Sequence, residues 1–173
     1  MLSGKQSPRR ALTPSHEHYL RAIWEVWSRH GYARLTDVAR QLGVSHPTLS
    51  VGLRILEEHG LVSHDARRFL VLTALGERVA KEVHHRFRVL HTFLADLLGI
   101  PAEQAEREAC LMEHDISAET TERVLDLVKL MRADRTLREL FQQRFASFHR
   151  DCRPSESCST CDLACMAVVN PPA

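Results

Sequence analysis

The chain has 173 residues, 44% of them hydrophobic and 26% charged, enough to bury a real core in one domain or two small ones. Seven Gly and seven Pro, spread along its length, exclude a collagen-like or low-complexity polymer. No apolar run approaches the roughly 18 residues of a membrane span, and the basic N-terminal stretch lacks the apolar core of a secretory signal, so a cytoplasmic protein with no membrane partner is expected.

The net charge of +1 hides an asymmetry. Residues 1–72 carry 10 Lys and Arg against 6 Asp and Glu, whereas residues 73–173 carry 13 against 16. A basic first part joined to an acidic remainder suggests a nucleic-acid module attached to something else. The 11 histidines are an unusual number, and histidine is the commonest metal ligand.

After a flexible arm over 1–12, residues 15–30 place Tyr19, Ile23, Trp24 and Trp27 at helical spacing behind Pro14 and Ser15. Residues 34–62 divide into a short helix from Leu35 to Leu42, a turn at Gly43, Val44 and Ser45, and a longer helix over 46–59 that Gly60 stops. Two helices around so tight a turn form a helix-turn-helix. The segments 61–64 and 69–72 then read as short strands around the basic tip Arg67-Arg68, the wing of a winged helix. One long amphipathic helix is expected over 73–98, ended by Gly99. Further helices follow over about 101–115, from Ser117 onward, and over about 134–150. The expected fold is mainly α. A winged helix-turn-helix spans 13–73, an all-helical metal-binding and dimerisation domain 74–150, and a cysteine-rich tail 151–173.

A recognition helix presents short polar and basic side chains to base edges and phosphates. Ser45, His46, Thr48 and Ser50 crowd the first turn of the second helix, and Arg54 lies one turn further on. Arg40 before it, and Arg67 and Arg68 on the wing, stand where a DNA backbone would run. Winged helices also serve as protein-interaction modules, but the placement of these cations favours DNA.

In the segment REACLMEHDIS, Cys110, Glu113 and His114 stand at i, i+3 and i+4, which brings all three side chains to one face of a single helix. Thiolate, carboxylate and imidazole form a mixed-softness set suited to a divalent transition metal. One helix supplies at most three ligands, so a fourth comes from elsewhere, with His16 and His18 on the first helix as candidates. The plainer alternative is a buried cysteine beside an exposed Glu-His pair.

The segments HEHYLRAIWEV, VSHPTLSVGLRILEEHGLV and EACLMEHDIS, in that order, resemble the diphtheria-toxin-repressor and manganese-transport-regulator family over about residues 13–131. The resemblance implies a homodimeric, metal-dependent repressor of metal-uptake genes, bound to an inverted-repeat operator in double-stranded DNA. It implies that Cys110, Glu113 and His114 are metal ligands together with His18, where the family has Met or Asp. It also adds Pro47 to the DNA-contacting set of Ser45, Thr48 and Ser50, with Val51 replacing a polar residue. Iron-sensing members carry Cys at the position of Cys110 and manganese-sensing members carry Glu, so the thiolate favours Fe²⁺ over Mn²⁺ or another divalent ion. The family's ancillary metal site departs: Phe87 stands for its His and Arg21 for a Glu of the manganese branch. His91 and Glu106 fall on ancillary positions, with His84 and His85 nearby.

The tail cysteines, Cys152, Cys158, Cys161 and Cys165, lie outside the resemblance. Four thiolates so close together suit a [4Fe–4S] cluster or a tetrahedral Zn²⁺. A second expectation is therefore a cluster-dependent regulator of redox or iron status. A metallohydrolase using Glu113 as base is a third reading, disfavoured because no second acid–base group can be placed. No enzyme activity is expected.

Overall fold

Helix α1, Pro14–His30, begins at a proline pre-set for a first helical turn and ends at Gly31, whose φ of 74° lies in the left-handed region. A computed structural model describes residues 12–147 of the chain. The arm over 1–11 and the whole cysteine tail, with Cys152, Cys158, Cys161 and Cys165, lie outside the described residues. By its internal contacts the chain forms two units, residues 1–130 and 131–173.

In the first unit α1 is followed by α2, Leu35–Leu42, and α3, His46–Glu58. Gly43, with φ of 66°, makes the left-handed turn between them, and its N–H donates to carbonyls at the end of α2. Ser45 caps α3 by accepting from the Thr48 N–H at 3.3 Å. Strands β1, Val62–His64, and β2, Leu70–Leu72, pair antiparallel with Val62 opposite Leu72 and His64 opposite Leu70. Ala33 adds a bridge to Leu70, so the wing is rooted on the α1–α2 connection.

Helix α4, Ala74–Thr92, continues into a π-helical turn, Phe93–Leu97. Then come α5, Ala102–Met112, and α6, Ala118–Ala133, which crosses into the second unit. The long helix expected over 73–98 is thus α-helical only to Thr92. The second unit, where described, contains α7, Arg135–Ser147, an exposed helix on which Phe141 and Phe145 stack with ring centroids 5.4 Å apart.

Two apolar clusters organise the first unit. One gathers Leu20, Ile23 and Val26 of α1 with Val38 of α2 and Leu49, Leu53 and Leu56 of α3, closed by Leu61, Leu70, Val79 and Val83. Each such buried aliphatic side chain contributes about 1.5–3 kcal/mol over its exposed state. The other gathers Phe87, Leu90 and Leu94 with Ala105 and Ala109 of α5. Helix α4 belongs to both clusters and spaces them. At Gly52 the recognition helix approaches α1 so closely that a Cβ would lie 2.3 Å from the Tyr19 ring. The position of α3 is therefore tied to that of α1.

Among the described residues no helix is long and apolar enough to cross a membrane.

Candidate metal centre and DNA-binding face

The three clustered ligand candidates are not on one continuous helix. Helix α5 stops at Met112, and Glu113 is its C-cap, with His114 in the turn beyond. The Glu113 N–H still donates to the Ala109 carbonyl at 3.1 Å, so the last turn keeps its helical path long enough to present Glu113. The expected single-helix face is corrected on this point: Cys110 is helical, and its two companions are placed by the turn.

Helix α1 brings the fourth side chain. His18 Nε2 lies 2.9 Å from Cys110 Sγ and 3.0 Å from His114 Nε2. Ligand atoms of His18, Glu113 and His114 all lie within 4.8 Å of one another. Donor atoms around a tetrahedral ion with bonds of about 2.0–2.3 Å stand roughly 3.3–3.7 Å apart. To accept one, the two His18 contacts would open slightly and the wider separations within the triad would close, while Cys110 reaches the cluster through its contact with His18. The donor set fits a divalent transition metal. His16 takes no part: its Nδ1 accepts from the Thr13 N–H at 3.3 Å, closing the start of α1.

Buried charges surround these four residues. Glu17, 4% exposed, accepts from His114 Nδ1 at 2.8 Å. A proton held on Nδ1 leaves the Nε2 lone pair facing His18, the arrangement in which a carboxylate orients a metal-binding imidazole. Glu113 is fully buried, with Oε2 3.6 Å from Arg86 Nε and Oε1 3.1 Å from His114 Nδ1. Arg86 Nε also donates to the Glu113 carbonyl at 3.1 Å, fixing backbone and side chain of the turn together. Arg21 Nη2 donates to Cys110 Sγ at 3.5 Å.

Burial, reinforced by Arg21 and His114, lowers the His18 pKa to about 4, so its ring is neutral and able to ligate at ordinary pH. Burial also raises the Cys110 thiol, against the opposing pull of Arg21, and raises the Glu113 carboxyl. Burial favours the neutral form of all three.

The ancillary candidates do not converge. The triad His18, Glu113 and His114 is the group of three or more potential ligands that assembles among the described residues, and neither His91 nor Glu106 joins it or another. His91 packs its ring against Phe87, 5.8 Å between centroids, and Glu106 is exposed. His85 is exposed, and His84 Nδ1 lies 3.2 Å from Glu25 Oε1. Glu17, Arg21 and Arg86 are the site residues that sequence reasoning did not assign. Glu17 and Arg21 flank His18 at i−1 and i+3, and charges there on an otherwise apolar helix face are the available signal. Arg86 leaves no local signal.

The helix-turn-helix and the wing carry exposed polar and basic side chains. Ser45, His46, Pro47, Thr48, Ser50 and Arg54 on α3, Arg40 on α2, and Arg67 and Arg68 on the wing are all exposed. The wing tip is shaped by Asp65, whose Oδ1 accepts from the N–H groups of Arg67 at 2.9 Å and Phe69 at 2.8 Å, while Arg68 adopts a φ of 65°. Val51 is 63% exposed and offers this face no hydrogen bond.

Two family models match the chain. The iron dependent repressor N-terminal DNA binding domain matches residues 11–70, and the iron dependent repressor metal binding and dimerisation domain matches residues 73–143. The HTH-type transcriptional regulator MntR of Lysinibacillus sphaericus is 30% identical over 119 residues, 69% of this chain and 85% of the relative. The transcriptional regulator MntR of Escherichia coli O6:H1 is 38% identical over 104 residues, 60% of this chain and 66% of the relative. The solved structure of the manganese regulator SloR superposes with a TM-score of 0.61 at 28% identity, covering 68% of this chain. The match spans 55% of the SloR chain, little more than half its length.

Proposed function

The chain belongs to the iron dependent repressor family, and from that premise we propose that it is a metal-responsive repressor that binds double-stranded DNA as a homodimer. The observation that carries this reading is the meeting of His18, from α1, with Cys110, Glu113 and His114, from the end of α5. Those four side chains would hold one divalent ion, which would supply the positive charge that keeps α1 and α5 together.

The residues do the rest. Neutral His18 and the Nε2 of His114 offer lone pairs, Glu17 holds the His114 tautomer, and Arg86 keeps Glu113 turned inward. Because Tyr19 packs on Gly52, drawing α1 toward α5 also bears on α3. If the metal-bearing arrangement is also the DNA-competent one, metal and DNA must raise each other's affinity by the same factor. In the homodimer, two recognition helices would enter successive major grooves of an inverted repeat, with Arg40, Arg54, Arg67 and Arg68 toward phosphates and Ser45, His46, Pro47, Thr48 and Ser50 toward bases.

Fe²⁺ is the ion we assign, because Cys110 brings a sulfur donor; Mn²⁺, named for the relative SloR, is the competing assignment. The iron–sulfur reading of the tail gains no support: both family models end before Cys152, the later one at residue 143. The hydrolase reading gains none either, since the relatives are transcriptional regulators.

The test is selection of duplexes from a random-sequence pool by the full chain, run anaerobically with Fe²⁺, with Mn²⁺ and with chelator. An inverted repeat enriched with metal and absent with chelator supports the reading, and its metal-dependent affinity ranks the two ions. Equal enrichment with and without metal would refute it.

A further inference from the structure

Arg21 stands one turn after His18 on the same face of α1. Its guanidinium is held on three sides: Nη2 is 3.5 Å from Cys110 Sγ, Nε is 3.7 Å from Glu25 Oε1, and Cζ lies 3.9 Å over the Phe87 ring. Its side chain is only 12% exposed, and among the described residues Nη1 has no hydrogen-bonding partner. A surface arginine swings freely. This one is clamped.

The clamp leaves its charge only partly answered. Glu25 is shared with His84, 3.2 Å away, and with the Gln41 amide at 2.5 Å. A guanidinium remains charged in any protein environment, so a positive charge sits permanently against the sulfur.

Resting on the metal-centre reading above, we infer that Arg21 is a positioning and selectivity residue of that centre, weakening it for thiophilic ions by withdrawing electron density from Cys110 and by repelling the incoming cation. The two effects separate by ion. Repulsion falls alike on every divalent ion, whereas loss of sulfur donor strength falls hardest on ions that depend on sulfur, Zn²⁺ and Co²⁺ more than Mn²⁺. Arg21 thereby narrows the advantage that a cysteine ligand gives zinc over the harder ions.

The experiment uses the full chain with Co²⁺, Zn²⁺ and Mn²⁺ as probes, comparing the parent protein with Arg21→Met, whose unbranched side chain can still lie on Phe87. The sulfur-to-cobalt charge-transfer band should move to lower energy in Arg21→Met. Losing Arg21 also tightens the proton on Cys110, so affinities are referred to the deprotonated thiolate. On that basis competition titrations should show Zn²⁺ binding tightened roughly tenfold, the scale at which outer-shell groups tune metal sites. Mn²⁺ binding should tighten by no more than about threefold, as expected for one partly screened charge. Arg21→Lys keeps the charge but gives up the planar anchoring on Phe87, and should raise the Zn²⁺-to-Mn²⁺ affinity ratio by a smaller factor; it carries the test if the Met variant does not fold. An unchanged band and an unchanged Zn²⁺-to-Mn²⁺ ratio in the folded variants would overturn the inference. Absence of any sulfur-to-cobalt band in the parent protein would instead refute the placement of Cys110 as a ligand, a distinguishable failure.

Discussion

The DNA-binding face and the metal centre are built in opposite ways. The face is assembled from residues close in sequence: α2, α3 and the wing run without interruption from Leu35 to Leu72, and its exposed side chains sit over a core that α1 and α4 complete. The centre is assembled across the chain, with 92 residues separating His18 from Cys110 and 97 separating Glu17 from His114, and its side chains are turned inward. The difference teaches where regulation can enter. None of the face's residues belongs to the candidate metal centre, so on the proposed reading metal would act on the placement of the face, through the joint between α1 and α5.

The largest expected effect comes from breaking that joint at its α5 side. Cys110→Ala, Glu113→Gln and His114→Ala should each weaken metal binding by about a hundredfold or more, while the dimer and its metal-free DNA affinity persist. Metal-titrated anisotropy of a labelled duplex reads this, and a retained metal response in any of the three would remove that residue from the centre.

Glu17→Gln is the next step down. It keeps the shape but removes the charge that holds the His114 proton on Nδ1, so metal affinity should fall about 10- to 100-fold with the helices intact by circular dichroism. An unaltered affinity would make Glu17 a packing residue only.

The joint should also respond to pH where the face does not. Burial holds the Cys110 proton above its usual range, so metal must displace it, and a displaced proton means affinity that rises with pH. Between about pH 6 and 8 the metal association constant should climb by roughly tenfold per unit, while His18, its pKa lowered to about 4, stays neutral throughout. Calorimetry in buffers of different ionisation enthalpy counts the proton released; a count of zero would place the sulfur outside the coordination shell.

Changes on the face should leave the metal constant alone. Replacing Arg67 and Arg68 by Ala should weaken DNA binding on all sequences and make the logarithmic salt slope shallower by about two. Ser45→Ala, which removes the cap at the Thr48 N–H, should destabilise the unit by about 1 kcal/mol in denaturant unfolding and touch neither metal affinity nor the salt slope. Cross-effects from either change onto metal binding would erase the contrast between the two regions.

The same contrast explains what could be read from the sequence. Helices α1 to α3, the wing and the Gly43 turn are legible because apolar spacing, Pro14, Gly43, Ser45 and Gly60 act over a few residues. The π-helical turn at Phe93–Leu97 is not, since the sequence is apolar enough there to continue an α-helix. At the candidate centre, the spacing of Cys110, Glu113 and His114 marked them as ligand candidates even though the helix ends at Met112. His18 remained one of two candidates by spacing, and the family resemblance selected it over His16. Glu17, Arg21 and Arg86 owe their roles to contacts with residues 97, 89 and 27 positions away, and no local pattern records such a meeting.

The central claim is that metal regulates DNA binding by tying α1 to α5, and His18 is the proposed ligand that α1 contributes. The direct measurement is DNA affinity of His18→Ala at saturating Fe²⁺ or Mn²⁺, with metal occupancy measured on the same sample. The account predicts a protein that still takes up metal, more weakly, through Cys110, Glu113 and His114, yet binds DNA no better than its metal-free form. Full metal stimulation of DNA binding in the saturated variant would contradict it.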